Sequence, residues 1–194
     1  IEDYKRRDVP CNLTKFLFDT FGFDEVDRIT NDYYLTGTQS PWPNATIFWQ
    51  IDQKERIHGA KIMLYDPDAG KRIKEPYPHI NWLHNALKLK GYNLNQCLFG
   101  LHLANEKPTA TIGICESEKT AIMMSALVPE LIWMATGSKQ NLKKEMMTTI
   151  KGRELILFPD KGEHDLWSNK AKELKKDGHR IAVSGMLEET EHQK

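Results

Sequence analysis

The 194-residue chain lacks any apolar run approaching the roughly 20 residues that a membrane-spanning helix requires. It has only three cysteines, Cys11, Cys97 and Cys115, widely spaced and without a CxxC pair. That argues against a disulfide framework and against a zinc ribbon, and predicts a reducing, cytoplasmic setting. Net charge is also missing: 27 basic side chains balance 27 acidic ones, so no global electrostatic footprint points to nucleic acid or a membrane surface. The seven histidines form no HExxH pair, and no P-loop is present, which speaks against a zinc protease and an ATP-driven motor. There is no internal repeat and no low-complexity stretch. The opening "IEDYKRRDVP" has neither a signal-peptide core nor an initiating methionine, so it reads as a piece of a longer chain.

What is present suffices for a packed core, since 40% of the residues are hydrophobic. The first half reads as α+β. Asn12 is placed to cap a short helix through Leu13 to Thr20, and a second helix is predicted from Asp24 to Asn31. "ATIFWQID" and "IHGAKIMLYD", separated by the polar "DQKER", predict an antiparallel hairpin that "DPDAGKR" ends as a turn. "HINWLHNALKLKGYN" predicts a helix stopped by Gly91. After Pro108 the rhythm changes to strands at 111–115, 131–135, 154–158 and 180–184, with helices at 119–127, 140–149 and 167–177. Strands separated by helices of that length need right-handed crossovers, hence a parallel sheet with helices on both faces.

The C-terminal ends of parallel strands share one edge, where side chains from different strands converge on a ligand. Two strands here end in acid: "TIGIC" runs into Glu116, and "ELILF" runs through Pro159 into Asp160, with Glu163 and Asp165 close behind. Converging carboxylates are the hard oxygen ligands that Mg²⁺ prefers. Taken singly, an acid at a helix start is ordinary because it complements the macrodipole. Two acids at two strand ends of one sheet ask for another explanation.

"TIGICESEKTAIMMSAL", then "IWMATGSKQNL", then "GRELILFPDKGEHDLWSNKAKEL" resemble, in that order, the Toprim domain shared by bacterial DNA primases, topoisomerases and some nucleases. The resemblance covers about residues 109–185. It sets the family's strand-ending glutamate on Glu116, its small-residue turn on Ala135-Thr136-Gly137, and the first aspartate of its Asp-x-Asp pair on Asp160. Upstream, "IFWQIDQKERIHGAKIMLYDPDAGKRIK" and "CLFGLHLA" resemble the segments that precede Toprim in bacterial DnaG-type primases, most of all those of mobile elements or phage-like origin, with the zinc-binding module absent. Two positions depart from the pattern: Gly162 stands where the family has its second aspartate, and Ser117 where it usually has glycine.

The resemblance implies an α/β fold, a Toprim-like parallel sheet with flanking helices at 109–185, preceded by a smaller α+β primase-like subdomain at 1–108 and followed by a polar tail at 186–194. It implies RNA primer synthesis on single-stranded DNA, a nucleotidyl transfer dependent on Mg²⁺ or Mn²⁺. Asp160, helped by Glu163 or Asp165, would hold the metal that grips the nucleotide's phosphates. Glu116 would act as a metal ligand or as a base toward the attacking hydroxyl. Lys119 and Lys139 would meet phosphate, and Lys54, Arg56, Lys61, Lys71 and Arg72 around the hairpin would meet nucleic acid or nucleotide. Implied partners are single-stranded DNA, nucleotides and a replicative helicase, with no membrane. Two alternatives stay open: a catalytically inactive nucleic-acid-binding replication module, favoured by Gly162 and the zero net charge, and a metal-dependent Toprim nuclease. Trp49, Trp82 and the methionines read as packing, and Asp66–Gly70 as a turn rather than a calcium loop.

Overall fold

The computed structural model describes residues 9–188, so the start of the chain and residues 189–194 of the predicted polar tail lie outside the described residues. The chain divides into two compact units, Ile1–Gln96 and Cys97–Lys194.

In the first unit, α1 (Asn12–Phe21) and α2 (Phe23–Tyr33) pack against each other around Gly22, whose φ of 81° turns the chain between them. Cys11, not Asn12, is the N-cap of α1. Thr14 Oγ1 donates to Cys11 O at 2.7 Å and accepts from Cys11 N at 3.2 Å, which leaves the Asn12 amide to donate to Tyr65 O at 2.8 Å. An antiparallel sheet follows in the order β1 (Thr36–Thr38), β2 (Ala45–Ile51), β3 (Ile57–Met63), β4 (Ile80–Trp82). Every residue of β2 is buried, and Ala45, Ile47, Trp49, Ile51, Ala60, Ile62 and Leu83 form one apolar cluster.

The hairpin turn is held by Asp52. Its buried carboxylate accepts from the backbone N–H of Lys54 and of Arg56 at 2.9 and 3.0 Å, and from Arg56 Nε at 2.8 Å. His58 Nε2 stands 2.9 Å from the same carboxylate, and His58 Nδ1 stands 2.7 Å from Asn95 O. Burial alone would raise the Asp52 pKa, but the hydrogen bonds from Arg56, His58 and Lys54 hold it well below the usual carboxylate range.

The predicted helix over 80–89 is mostly absent. Ile80, Asn81 and Trp82 instead pair with Met63, Ile62 and Lys61, and only Leu83–Ala86 form a helical turn, α3. Pro76 and Pro78 favour extended backbone just ahead, and the open edge of β3 offers Ile80–Trp82 hydrogen bonds that a short helix would not match.

The second unit is a parallel sheet in the order β6-β5-β7-β8: β5 (Ile112–Cys115), β6 (Ile132–Ala135), β7 (Glu154–Phe158), β8 (Arg180–Val183). The helices are α4 (Glu118–Leu127), α5 (Lys144–Met147) and α6 (His164–Lys176). The mixed α/β class and the parallel sheet with flanking helices are therefore as expected. The predicted helix over 140–149 is broken into two 3₁₀ turns, 139–141 and 148–150, around α5. The β-branched Thr148, Thr149 and Ile150 disfavour continued α-helix, and the Asn141 amide is drawn off to donate to Thr136 O at 3.2 Å.

The "CLFGLHLA" segment, assigned from sequence to the N-terminal subdomain, groups with the second unit. Phe99 exchanges backbone hydrogen bonds with Ala135 at 3.0 and 3.1 Å, and the Arg153 guanidinium donates to the carbonyls of Ala104, Lys107 and Ala110 at 2.9, 2.7 and 2.6 Å. Among the described residues no helix is long and apolar enough to cross a membrane. The three cysteines are buried and form no disulfide.

Gly113, in the middle of β5, is dictated by packing: a Cβ there would lie 2.9 Å from the ring of Trp133 on β6, directly opposite in register. Gly113→Ala is therefore expected to destabilise the chain by about 1–3 kcal/mol through overpacking, read from the shift in a urea unfolding curve. Combining it with Trp133→Phe should recover part of the loss, and an unchanged midpoint for the single variant would contradict the tight contact.

Candidate active site

Strand pairing alone brings the acids together. In the β5/β7 ladder Cys115 stands opposite Phe158, so Glu116 and Asp160 leave adjacent strands at the same edge. The ladder with β6 continues past its last strand residue: Thr136 N donates to Cys115 O at 3.1 Å and Gly137 N to Glu116 O at 2.8 Å. These bonds fix the backbone under the Glu116 side chain. Ser117, the family departure, is the N-cap of α4, with its hydroxyl accepting from Thr120 N at 3.1 Å.

Beyond Asp160 the chain turns tightly, with Glu163 N donating to Asp160 O at 2.9 Å. Gly162 has a φ of 83°, a conformation that a side chain there would strain, although a Cβ would meet nothing within 4 Å. Its N–H donates to Glu188 Oε1 at 2.7 Å. The position where the resemblance would set a second aspartate is thus a left-handed turn position that suits glycine.

Glu163 is the N-cap residue of α6, and its carboxylate receives Lys139 Nζ at 2.6 Å from the 3₁₀ turn after β6. Lys139 is held in turn, because Lys170 Nζ donates to its carbonyl at 2.9 Å. Partial burial pushes the Glu116 pKa up, and the charges of Asp160 and Glu163 push it further, against the opposing pull of Lys139. Partial burial, then the Glu163 charge, raises Asp160 as well, even though a good part of that residue reaches solvent. The hydrogen bond to Glu163 raises Lys139. The three carboxylates and Lys139 thus act on one another electrostatically at one sheet edge.

Asp165 is placed differently. It lies in the first turn of α6 with a fully exposed side chain, 3.8 Å from His164 Nδ1. The charges that act on Glu116 are those of Asp160, Glu163 and Lys139. Lys119, in α4, is half-buried, and that burial lowers its pKa.

The basic residues of the hairpin do not form one patch. Lys54 and Arg56 are exposed at the turn, where Arg56 is tied to Asp52 at 2.6 Å. Lys71 and Arg72 are exposed beyond the other end of β3, roughly 20 Å away along a seven-residue strand. Lys61, midway, is buried with its ammonium 5.8 Å from the Trp82 ring centroid.

Among the described residues no group of three or more His, Cys, Asp or Glu is arranged to hold a metal ion by itself. The donor set nonetheless suits Mg²⁺, which is commonly bound through one or two carboxylates and completes its shell with water and substrate phosphate. Glu116 and Asp160 supply that pair, and their mutual repulsion is what a divalent cation would relieve.

Sequence reasoning missed a hollow of ≈140 Å³ beside Asp160, walled by Trp133, Phe158 and Met124. Its residues come from different elements, and each taken alone reads as core.

In fold the chain is similar to a solved primase fragment, that of the bacteriophage T7 primase-helicase protein, at 15% identity and a TM-score of 0.50, over 80% of this chain and 59% of that one. Weaker likenesses run to a DNA primase domain from Pseudomonas aeruginosa, at 13% identity, TM-score 0.48 and 86% and 53% coverage, and to a DnaG primase catalytic domain bound to single-stranded DNA, at 13%, 0.49 and 89% and 58%. The chain thus spans between half and three-fifths of the solved chains it resembles. By sequence it belongs to the family described as a domain of unknown function, DUF6371, whose model matches residues 11–161, a stretch that includes both Glu116 and Asp160. No curated protein sequence matches it.

The raised carboxyl pKa values carry a consequence for stability. A carboxyl that holds its proton more tightly folded than unfolded loses stabilising effect as pH rises from its unfolded value, about 4.3 for Glu, through its folded one. Glu116→Gln should therefore be the more stable protein at pH 7, by about 0.2–1 kcal/mol for so hydrated a cluster, with the difference vanishing near pH 4. Urea unfolding at the two pH values checks this, and equal stability at pH 7 would contradict the repulsion.

Proposed function

We propose that this chain is the core of a primase-type nucleotidyltransferase that acts on single-stranded DNA with Mg²⁺ or Mn²⁺, its second unit serving as a Toprim-like catalytic unit. One observation carries the reading: Glu116 and Asp160 leave adjacent parallel strands at one edge, with Glu163 and Lys139 in electrostatic contact, in a fold shared with a primase fragment.

In this reading Glu116 and Asp160 hold the metal, which when bound supplies positive charge to a phosphoryl group. Alternatively Asp160 holds the metal without Glu116, which is the base toward the attacking hydroxyl, its proton affinity raised by burial and the neighbouring carboxylates. Lys139 offers an ammonium to phosphate, and Glu163 keeps it in place from the cap of α6. Lys119 stands one helical position after Glu118 at the same strand end, within the turn that Ser117 caps. Asp165, exposed, serves as an outer ligand through water. Lys54, Arg56, Lys71 and Arg72 provide exposed charge for a nucleic-acid backbone, whereas Lys61 is buried near Trp82. A replicative helicase is the partner such a core would serve, and a mobile element a fitting source.

A second reading is a catalytically inactive nucleic-acid-binding module. Gly162 favours it, because its left-handed turn removes the carboxylate that the resemblance would set there, and the Lys139 pairing occupies Glu163.

Calorimetric titration of Mn²⁺ separates the two. The first reading predicts saturable binding that Glu116→Gln and Asp160→Asn each weaken at least about tenfold, since each removes half of a two-carboxylate site. Absence of binding at millimolar Mn²⁺, with and without nucleotide, in a folded protein would overturn the catalytic reading and leave the binding module.

A further inference from the structure

The hollow beside Asp160 has no part in the chemistry described so far. It opens on one face of the parallel sheet. Trp133 on β6 and Phe158 on β7 form its floor, with ring centroids 4.7 Å apart and planes inclined by 48°. Met124 and Thr120 of α4 wall one side, and Ser184, Met186 and Leu187 after β8 wall the other. Gly113 makes the floor possible, because the Trp133 ring lies where any side chain on β5 would stand. Asp160 belongs to both places: it lines the hollow and it faces the Glu116 and Glu163 charges.

We infer that this hollow is the base-binding subsite of the nucleotide, taking a purine or pyrimidine ring whose attached phosphates reach the Glu116, Asp160 and Lys139 edge. The inference rests on the nucleotidyl-transfer reading above and specifies where its substrate sits. Three features support the choice of ligand. First, a cavity of about 150 Å³ is known to accept a benzene-sized ring, so ≈140 Å³ with an open mouth suits a flat heteroaromatic better than an aliphatic chain or a sugar.

Second, the walls are an indole, a phenyl ring and a thioether, groups that favour an aromatic face. Thr120 Oγ1 is engaged with Ser117 Oγ at 2.8 Å and Ser184 Oγ accepts from Met186 N at 3.3 Å, so the hollow would take a ring by its apolar faces rather than by its edge. Third, the hollow is apolar on one side of Asp160 while the other side concentrates charge and carries the ammonium of Lys139. A nucleoside triphosphate has the same two-ended character. Met186 and Leu187, half-exposed, form a rim that a base would cover.

Binding of ATP and of inorganic tripolyphosphate, each with Mn²⁺, tests this by calorimetry on the parent chain, Met124→Trp and Met186→Trp. Both substitutions place an indole in the hollow without touching the acids. The parent should bind ATP about 5- to 100-fold more tightly than tripolyphosphate, the gain that stacking one base provides. Both variants should lose most of that margin while tripolyphosphate binding stays within about twofold of the parent's. Circular dichroism confirms folding, and if Met124→Trp is disrupted, Met186→Trp at its exposed position carries the test. Equal affinity for the two ligands in the parent, or a margin that survives in a folded variant, would overturn the base subsite and leave the acid site standing. Failure of both polyphosphates to bind would overturn the acid-site reading and the inference with it.

Discussion

The parallel pairing of β5 with β7 is the constraint on which the candidate site depends. It sets Cys115 beside Phe158, so that the next residues out of each strand carry acid to one edge. The sheet would gain nothing from that arrangement by itself: partial burial and like charge raise both Glu116 and Asp160, and Lys139 offsets only part of the cost. A cluster that opposes folding at neutral pH and sits where parallel sheets bind ligands fits the ligand-binding role proposed for this edge. The Ser117 hydroxyl caps α4 just after Glu116, and the backbone bond from Glu163 N to Asp160 O closes the turn after Asp160.

The first unit solves the opposite electrostatic problem. Asp52 is buried at a hairpin turn, yet enough donors surround it that its charge is favoured, and the result is a rigid turn rather than a reactive group. The contrast between Asp52 and Glu116 shows that burial does not decide the outcome: the sign depends on whether the neighbours are donors or fellow carboxylates. Arg56, spent on Asp52, is correspondingly a weaker candidate for phosphate than exposed Lys54, Lys71 or Arg72.

The alternating second half of the chain was legible because its signals are local and agree. β7 occupies 154–158 as expected, and β5, β6 and β8 differ from expectation by one residue each. Illegible were the places where tertiary context decides. Ile80–Trp82 has helical spacing but lies beside the open edge of β3, and pairing prevails there over a weak helical pattern. The strand-end acids could be read from the order of strands, since a parallel sheet gathers its C-terminal ends. The Lys139–Glu163 pair could not, because 24 residues separate its members. Nor could the hollow, whose aromatic floor is indistinguishable in sequence from ordinary packing until Gly113 is seen to accommodate Trp133.

A divalent cation at the proposed Glu116 and Asp160 site would be located directly by paramagnetic broadening of backbone amide resonances with substoichiometric Mn²⁺. The first signals lost should be those of residues 116–118, 137–139 and 160–163, and added Mg²⁺ should restore them. Broadening centred instead on exposed Asp165 in the first turn of α6, or spread evenly over the surface carboxylates, would contradict a cation at that edge.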